Sequence, residues 1–441
     1  MSSDFTSKQN ATPNEVTGHK VYQWAEKLFP LCRSLTGQGT LETLKFFQSI
    51  VDGLEIHSIP SGTKVGDWTV PNQWDIHDAY IKDPNGTKIV DFKQSNLHVI
   101  GYSEPIDTVL PLTELQPRLR SLPHLPEAIP YCTSYYNRYW GFCLSDTQRK
   151  ELIDGDYHVK IDSSLKPGHL NYAELYIAGD TDEEILLSSY CCHPSLANNE
   201  LSGPCVLAGL ALWLKQQPKL RYSYRIIFTV ETIGSIIYIN KHLKKMKEKL
   251  VAGYVLTCCG DENRYSFSQT RMGDSLTDRV TRHTLEHHAD KFDEYKFLEI
   301  GGSDNIQYCS PNVDLPVCTL MRSAHGTYKE YHNSLDNLDF ISPGGLQGAF
   351  DVYKKAITLL ENNHTWQLTT IGEPQLGKYG LYNSETNPWP WQRTKLLKLF
   401  LAYADGQHDL VQMAERLGCN ALDLISIAEE CKKHGLVTKA I

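Results

Sequence analysis

Three apolar runs, each followed by a stretch of helical period, constrain this chain most. Residues 184–192 (EILLSSYCC), 224–230 (YRIIFTV) and 251–259 (VAGYVLTCC) are largely apolar along their length rather than at alternate positions. A strand takes this composition when both of its faces are buried, the condition of a parallel sheet covered by helices on both sides. Stretches 201–215, 234–250, 274–289 and 343–363 supply helical covers, and 314–321 adds a further strand. The alternation predicts an α/β fold built on a mixed, mostly parallel sheet flanked by helices.

The remainder divides by composition. Residues 19–50 carry helical spacing broken by Pro30 and by Gly37-Gln38-Gly39. From about 54 to 166 short alternating runs, prolines and turn signals such as Asp83-Pro84-Asn85-Gly86 indicate a β-rich module. Its aromatics (Trp68, Trp74, Tyr135, Tyr136, Trp140) form its core or line the mouth of a cleft. A Gly/Pro/Asn/Trp-rich linker at 372–391 precedes helices at 392–403, 408–417 and 421–434 and a short strand at 436–438, the order of a winged helix. The expected domains are 17–60 with 170–365 (α/β), 61–169 (inserted β-rich) and 372–441 (linker and winged helix). The polar residues 1–14 read as a frayed tail without the apolar segment of a secretory signal.

Charge limits the partners. The 441 residues carry 43 Lys and Arg against 52 Asp and Glu, a net charge of -9, where a chain whose main partner is nucleic acid usually has a basic excess. Segment 392–441 holds seven basic and six acidic residues, so the winged helix shows no electrostatic footprint for DNA. Docking, including homo-oligomer formation, is its favoured role. No apolar run reaches the ~20 residues of a membrane span. The twelve cysteines include no Cys-x-x-Cys pair, which argues against a thiolate zinc finger, and the adjacent pairs 191–192 and 258–259 read as buried thiols of a cytoplasmic protein.

Open α/β sheets bind ligands beyond the carboxyl ends of their strands. Those ends here carry His193, the run Asn198-Asn199-Glu200, Glu231 and Asp261, and two later loops carry Ser303-Asp304 and Tyr331-His332 to Asp336. Each has an ordinary alternative: a turn histidine, a cap, or a carboxylate set against a helix dipole. Together, two imidazoles and one or two carboxylates suit a divalent ion, zinc above all. Zinc with an open position acidifies a bound water, and Glu231, at a strand end, is placed to act as general base.

The strings HPSLANNELSG (193–203), VETIGS (230–235), GGSDNIQY (301–308) and EYHNSLDNL (330–338) resemble an aminopeptidase-like family of the zinc exopeptidase superfamily. Its members are described as polysaccharide-biosynthesis proteins with an aminopeptidase-like domain. LCRSLTGQGT (31–40), DWTVPNQWDIHDAYI (67–81), SNLHVIGYSEP (95–105) and the C-terminal winged helix resemble it too, so the likeness spans nearly the whole chain. It implies a zinc-exopeptidase-like α/β domain with a β-rich insertion.

In the wider zinc aminopeptidases the first strand ends in a histidine ligand, matched by His193, and the last ligand is matched by His332. The metal-bridging Asp is replaced by Asn199, beside Glu200. Two adjacent acids become Glu231 and Thr232, and Thr257 or Asp261 stands where a further Asp ligand is usual. What remains implies one zinc ion on His193, Glu200 and His332, with Glu231 as base and Tyr331 or Arg322 stabilising an oxyanion. Asn199, Asp304 and Asp336 complete the surroundings, the two acids as candidates to orient an imidazole through its second nitrogen. The expected activity is hydrolysis of an amide in a small peptide-like or amino-sugar substrate. The alternative is an altered exopeptidase scaffold with a binding or regulatory role, its winged helix serving for docking or DNA binding.

Overall fold

Eight strands hydrogen-bond into one sheet in a computed structural model of the chain, which describes residues 15–382 and 391–440. Their spatial order is Glu55–Pro60, His169–Ile177, Ser223–Thr229, Glu184–Tyr190, Leu250–Leu256, Val317–Met321, Tyr265–Ser268, Phe292–Tyr295. The four central strands run parallel; antiparallel pairing adds Glu55–Pro60 and His169–Ile177 on one side and Tyr265–Ser268 on the other, where Phe292–Tyr295 then pairs parallel to Tyr265–Ser268. Every residue of Glu184–Tyr190 and Ser223–Thr229 is buried, which is why those sequences do not alternate. The fold is thus the mixed α/β sheet flanked by helices that the apolar runs indicate.

Two apolar cores lie against the sheet. Helices Gly18–Leu28, Gln38–Ile50, Ser202–Lys215, Leu276–Glu286 and Pro343–Asn362 contribute to one; helix Ile233–Lys249 and the inserted module contribute to the other. The break between the first two helices carries Arg33, fully buried.

The insertion leaves the sheet after Pro60 and returns at His169, and these two residues face each other across paired strands. It holds a four-stranded antiparallel sheet of Lys88–Asp91, Gln73–Lys82, Asp156–Lys166 and Ile106–Pro111. Trp74 stacks on Tyr102 inside it, whereas Trp68 and Tyr136 are exposed. The aromatics of this module therefore divide between core and surface.

The C-terminal unit combines helices Trp391–Tyr403, Leu410–Leu417 and Ala421–Lys433 with a three-stranded sheet. The middle strand of that sheet, Thr365–Leu368, precedes residue 372, so the unit starts earlier than the linker composition suggests. Its apolar residues, Trp366, Phe400 and Leu424 among them, join the core of helix Pro343–Asn362. The N–H of Ala421 donates to His283 Nε2 at 2.9 Å, and Arg279 pairs with Asp409 at 2.8 Å. No helix among the described residues is long and apolar enough to cross a membrane. Residues 1–14 and 383–390, which include the expected tail and part of the linker, lie outside the described residues.

Candidate active site

His193 follows the strand Glu184–Tyr190 and is 3% exposed. Its two ring nitrogens meet different carboxylates. Nδ1 lies 2.8 Å from Glu200 Oε2, and Nε2 lies 3.7 Å from Glu231 Oε2. Burial alone would depress the imidazole; the adjacent Glu200 carboxylate outweighs it and holds the His193 pKa above its ordinary value. Glu231 is pushed up by burial, an effect opposed by the charge of His193.

Behind Glu200 sits a second buried charge. Arg33 Nε lies 3.8 Å from Glu200 Oε1 and donates to the His193 carbonyl at 2.9 Å; its Nη1 donates to the Leu28 carbonyl at 2.6 Å. Arg33 and Glu200 are sealed from solvent, whereas the Glu231 side chain is 28% exposed. Solvent therefore approaches His193 from its Nε2 side.

His332 comes from the loop before helix Pro343–Asn362, and its ring centroid lies 5.3 Å from that of His193. The fold thus brings together two imidazoles separated by 139 residues of sequence (332 minus 193). His332 Nε2 is 2.9 Å from Asn199 Oδ1. Burial, reinforced by the charge of His193, pushes the His332 pKa down to about 3, so this ring is neutral. Tyr331 stacks on it at 3.9 Å between centroids, and burial raises the phenol, keeping its proton in place.

The surrounding loops are held by acids whose partners are backbone amides. Residues Ala197–Leu201 form one π-helical turn, capped by Asp336, whose Oδ1 accepts from Asn198 N at 2.6 Å and Oδ2 from Asn199 N at 2.9 Å. Thr232 takes φ 64°, costly for a β-branched residue, and so aims its N–H at Asp304 Oδ1, 2.7 Å away. Ser235 Oγ donates to the same oxygen at 2.8 Å. Burial lifts Asp304 and Asp336 to about 7 each. Ser195, Cys258 and His332 also have positive φ, so strain collects in these loops.

Several sequence expectations change here. Asp304 and Asp336 are expected to orient an imidazole; both oxygens of Asp336 and Oδ1 of Asp304 instead accept from loop groups, Asp304 Oδ2 has no hydrogen-bond partner among the described residues, and Glu200 faces the second nitrogen of His193. Arg322 is ten residues from His332 in sequence but does not join the cleft: its Nε donates to the Asp261 carbonyl at 2.8 Å and its guanidinium lies over Tyr265. Asp261 is held by Asn198 Nδ2 at 3.1 Å and Ser323 Oγ at 2.8 Å, and Thr257 Oγ1 meets Tyr190 Oη at 2.7 Å.

Three participants went unread in the sequence. Arg33 is one; a lone arginine in the otherwise apolar stretch LFPLCRSL was its signal. Cys192, read as core, is buried with its Sγ 3.5 Å from His193 Nδ1. One ligand-type atom from each of Cys192, His193 and Glu200 lies within 4.8 Å of the others. Tyr131, from the insertion, is the third. Its ring lies 4.9 Å from that of His193 and 5.2 Å from that of His332, and its N–H donates to the His332 carbonyl at 2.9 Å.

Comparisons with known proteins agree with this architecture. Residues 22–363 match a family described as a domain of unknown function (DUF4910), and residues 364–439 match a winged helix-turn-helix family. A Clostridium acetobutylicum protein named as a polysaccharide biosynthesis protein with aminopeptidase-like domain is 41% identical over 405 residues, 91% of this chain and 92% of the relative. A crystal structure of a peptidase from the same organism superposes with a TM-score of 0.89 at 38% identity, covering 96% of each chain. The zinc aminopeptidase BSAP of Bacillus subtilis shares the fold, with a TM-score of 0.56 at 13% identity over 79% of this chain and 96% of that one. The chain belongs to the family of polysaccharide biosynthesis proteins with an aminopeptidase-like domain, carrying a C-terminal winged helix.

Proposed function

We propose that the protein is a zinc-dependent amide hydrolase acting on a small peptide-like or amino-sugar substrate in the cytoplasm. The juxtaposition of His193, His332 and Glu231 at the solvent-facing side of one cleft carries this reading. Two imidazoles are donors that zinc favours, and the Asn199 amide oxygen beside them is a weaker one. His332, being neutral, has a lone pair to offer.

Two positions compete for one ion, both using His193. On the buried side are Cys192, Nδ1 and Glu200; on the open side are Nε2, His332 and Asn199. Arg33 decides between them, because it already compensates Glu200 and would repel a second cation there. Glu200 is accordingly a positioning residue: it fixes the tautomer and direction of His193, as carboxylates behind metal-bound histidines do. His193 and His332 would hold the ion, with Asn199 beside them. A bound zinc supplies Lewis-acid polarisation of the scissile carbonyl and a lowered water pKa.

The chain's own groups do the rest. Glu231 takes a proton from the attacking water as the water oxygen bonds to the amide carbon. The C–N bond breaks as Glu231 returns that proton to the departing amine. Tyr331, kept protonated, is the donor proposed for the carbonyl oxygen as it gains charge. Tyr131 closes the cleft from the insertion side. The winged helix is a docking unit: the first turn of Ala421–Lys433 is committed to His283, and this helix sets Asp423, Glu429 and Glu430 against Lys432 and Lys433, with no basic excess.

The reading is tested by measuring zinc in protein purified without added metal and assaying aminoacyl and N-acyl amino-sugar amides. Stoichiometric zinc with amide cleavage is expected. Absence of metal after loading with excess zinc would turn the reading to a binding scaffold.

A further inference from the structure

The end of strand Val317–Met321 sends its side chains in two directions. Ser323 turns to Asp261 Oδ1 at 2.8 Å, whereas Arg322 lines a cavity of about 1010 Å³ together with Tyr265, His288 and Asn263. Arg322 is 8% exposed and forms no ion pair among the described residues. Its Nε is used by the Asp261 carbonyl, and its guanidinium lies 4.0 Å over the ring of Tyr265. A buried guanidinium without a carboxylate is uncommon, because removing the charge from water needs compensation.

The neighbouring groups point their donors the same way. Lys355 Nζ contacts His288 Nδ1 at 2.6 Å, and His288 Nε2 contacts Tyr265 Oη at 3.2 Å. An ammonium can only donate, so His288 accepts at Nδ1 and carries its proton on Nε2. That proton goes to the Tyr265 oxygen, which leaves the phenol proton free for an acceptor. Burial and the charge of Lys355 hold His288 below its ordinary pKa, consistent with a neutral relay ring. Gly348 makes room for the array: a Cβ there would lie 2.6 Å from the Tyr265 hydroxyl and 3.2 Å from Arg322 Nη1.

The nearby acids do not fill the role of counter-ion. Asp293 pairs with Arg264 at 2.7 Å, and Asp351, whose charge acts on Tyr265 and His288, makes no ion pair with Arg322 and accepts from Gln347 Nε2 at 3.0 Å. Glu286 and Asp290 are exposed side chains of the cavity lining. We propose that this cavity binds a small oxyanion ligand, presenting a phosphate or a carboxylate, with Arg322 as its charged anchor and Tyr265 as a second donor. The site uses no residue of the His193–His332 cleft and stands independently of the hydrolase reading.

Calorimetric titration of the full chain tests it, with inorganic phosphate in one arm and succinate in the other, chloride holding ionic strength constant. Saturable binding of at least one is expected, and the tighter arm identifies the oxyanion class. Arg322→Gln should weaken it about 10- to 100-fold, the loss of a charge-assisted anchor. Gly348→Ala keeps every charge and favours the helix, yet should also weaken binding by displacing Tyr265 and Arg322. Absence of saturable binding in both arms overturns the proposal, as does wild-type affinity in both variants when their circular dichroism matches the parent.

Discussion

The inserted module and the C-terminal unit are both packed on the α/β domain, but through contacts of different kinds. The insertion brings Tyr131 against both imidazoles and donates its backbone N–H to the His332 carbonyl. The C-terminal unit rests on helix Leu276–Glu286 through a neutral His283 and the partly exposed Arg279–Asp409 pair. The first set of contacts shapes the cleft, so changes near it should alter chemistry or the whole fold. The second set adds polar contacts to the apolar core that the unit shares with helix Pro343–Asn362, away from the cleft, so changes there should loosen docking and leave hydrolysis alone.

The largest effect on the cleft side is expected from Glu231→Gln. Losing the general base should lower turnover about 10²- to 10⁴-fold while zinc content stays at the parental level. Parental turnover in that variant would remove Glu231 from the mechanism. Next comes Glu200→Gln, which leaves Arg33 buried beside a neutral amide. Breaking a buried pair in this way costs about 3–5 kcal/mol, readable as a lower urea midpoint. An unchanged midpoint would mean that Arg33 finds compensation elsewhere.

On the docking side the effects shrink. His283 is held down to about 4 by burial and by its neighbour His287. With a folded value below the free value, the stabilising contribution is complete above about pH 6.5 and is lost as pH falls from there toward 4. The protection factors of residues 421–433, with the intrinsic pH dependence of amide exchange divided out, should therefore fall over that window. His283→Ala should cost about 1–3 kcal/mol at neutral pH by orphaning the Ala421 N–H, and should abolish the pH response. A response that persists would assign it to another group. Asp409→Asn should change stability by less than about 1 kcal/mol, because the pair is partly solvated. A turnover defect in either docking variant would erase the distinction between the two attachments.

The sheet was legible because buried parallel strands cannot alternate, and runs such as EILLSSYCC leave few other readings. His193 and Glu231 were legible as polar residues at strand ends, and His332 as a loop residue that the family resemblance singles out. What the sequence conceals is direction. Glu200 follows Asn199 by one residue, yet the π-helical turn sends Glu200 to the sealed side of His193 and Asn199 to His332. Arg322 is close to His332 along the chain but leaves its strand toward Tyr265. Tyr131 lies in a different module and reaches the cleft through long-range contacts, a bridge between Pro130 and Asn333 and the Ile129 N–H bond to Ser334 Oγ. Such contacts depend on tertiary packing and have no local pattern to announce them.

Anomalous diffraction at the zinc absorption edge, on crystals of the zinc-loaded protein, examines the ion and its ligands together. A single peak about 2.0–2.1 Å from a nitrogen of both His193 and His332 is the predicted result. A peak among Cys192, His193 Nδ1 and Glu200, or no peak after loading with excess zinc, would contradict it.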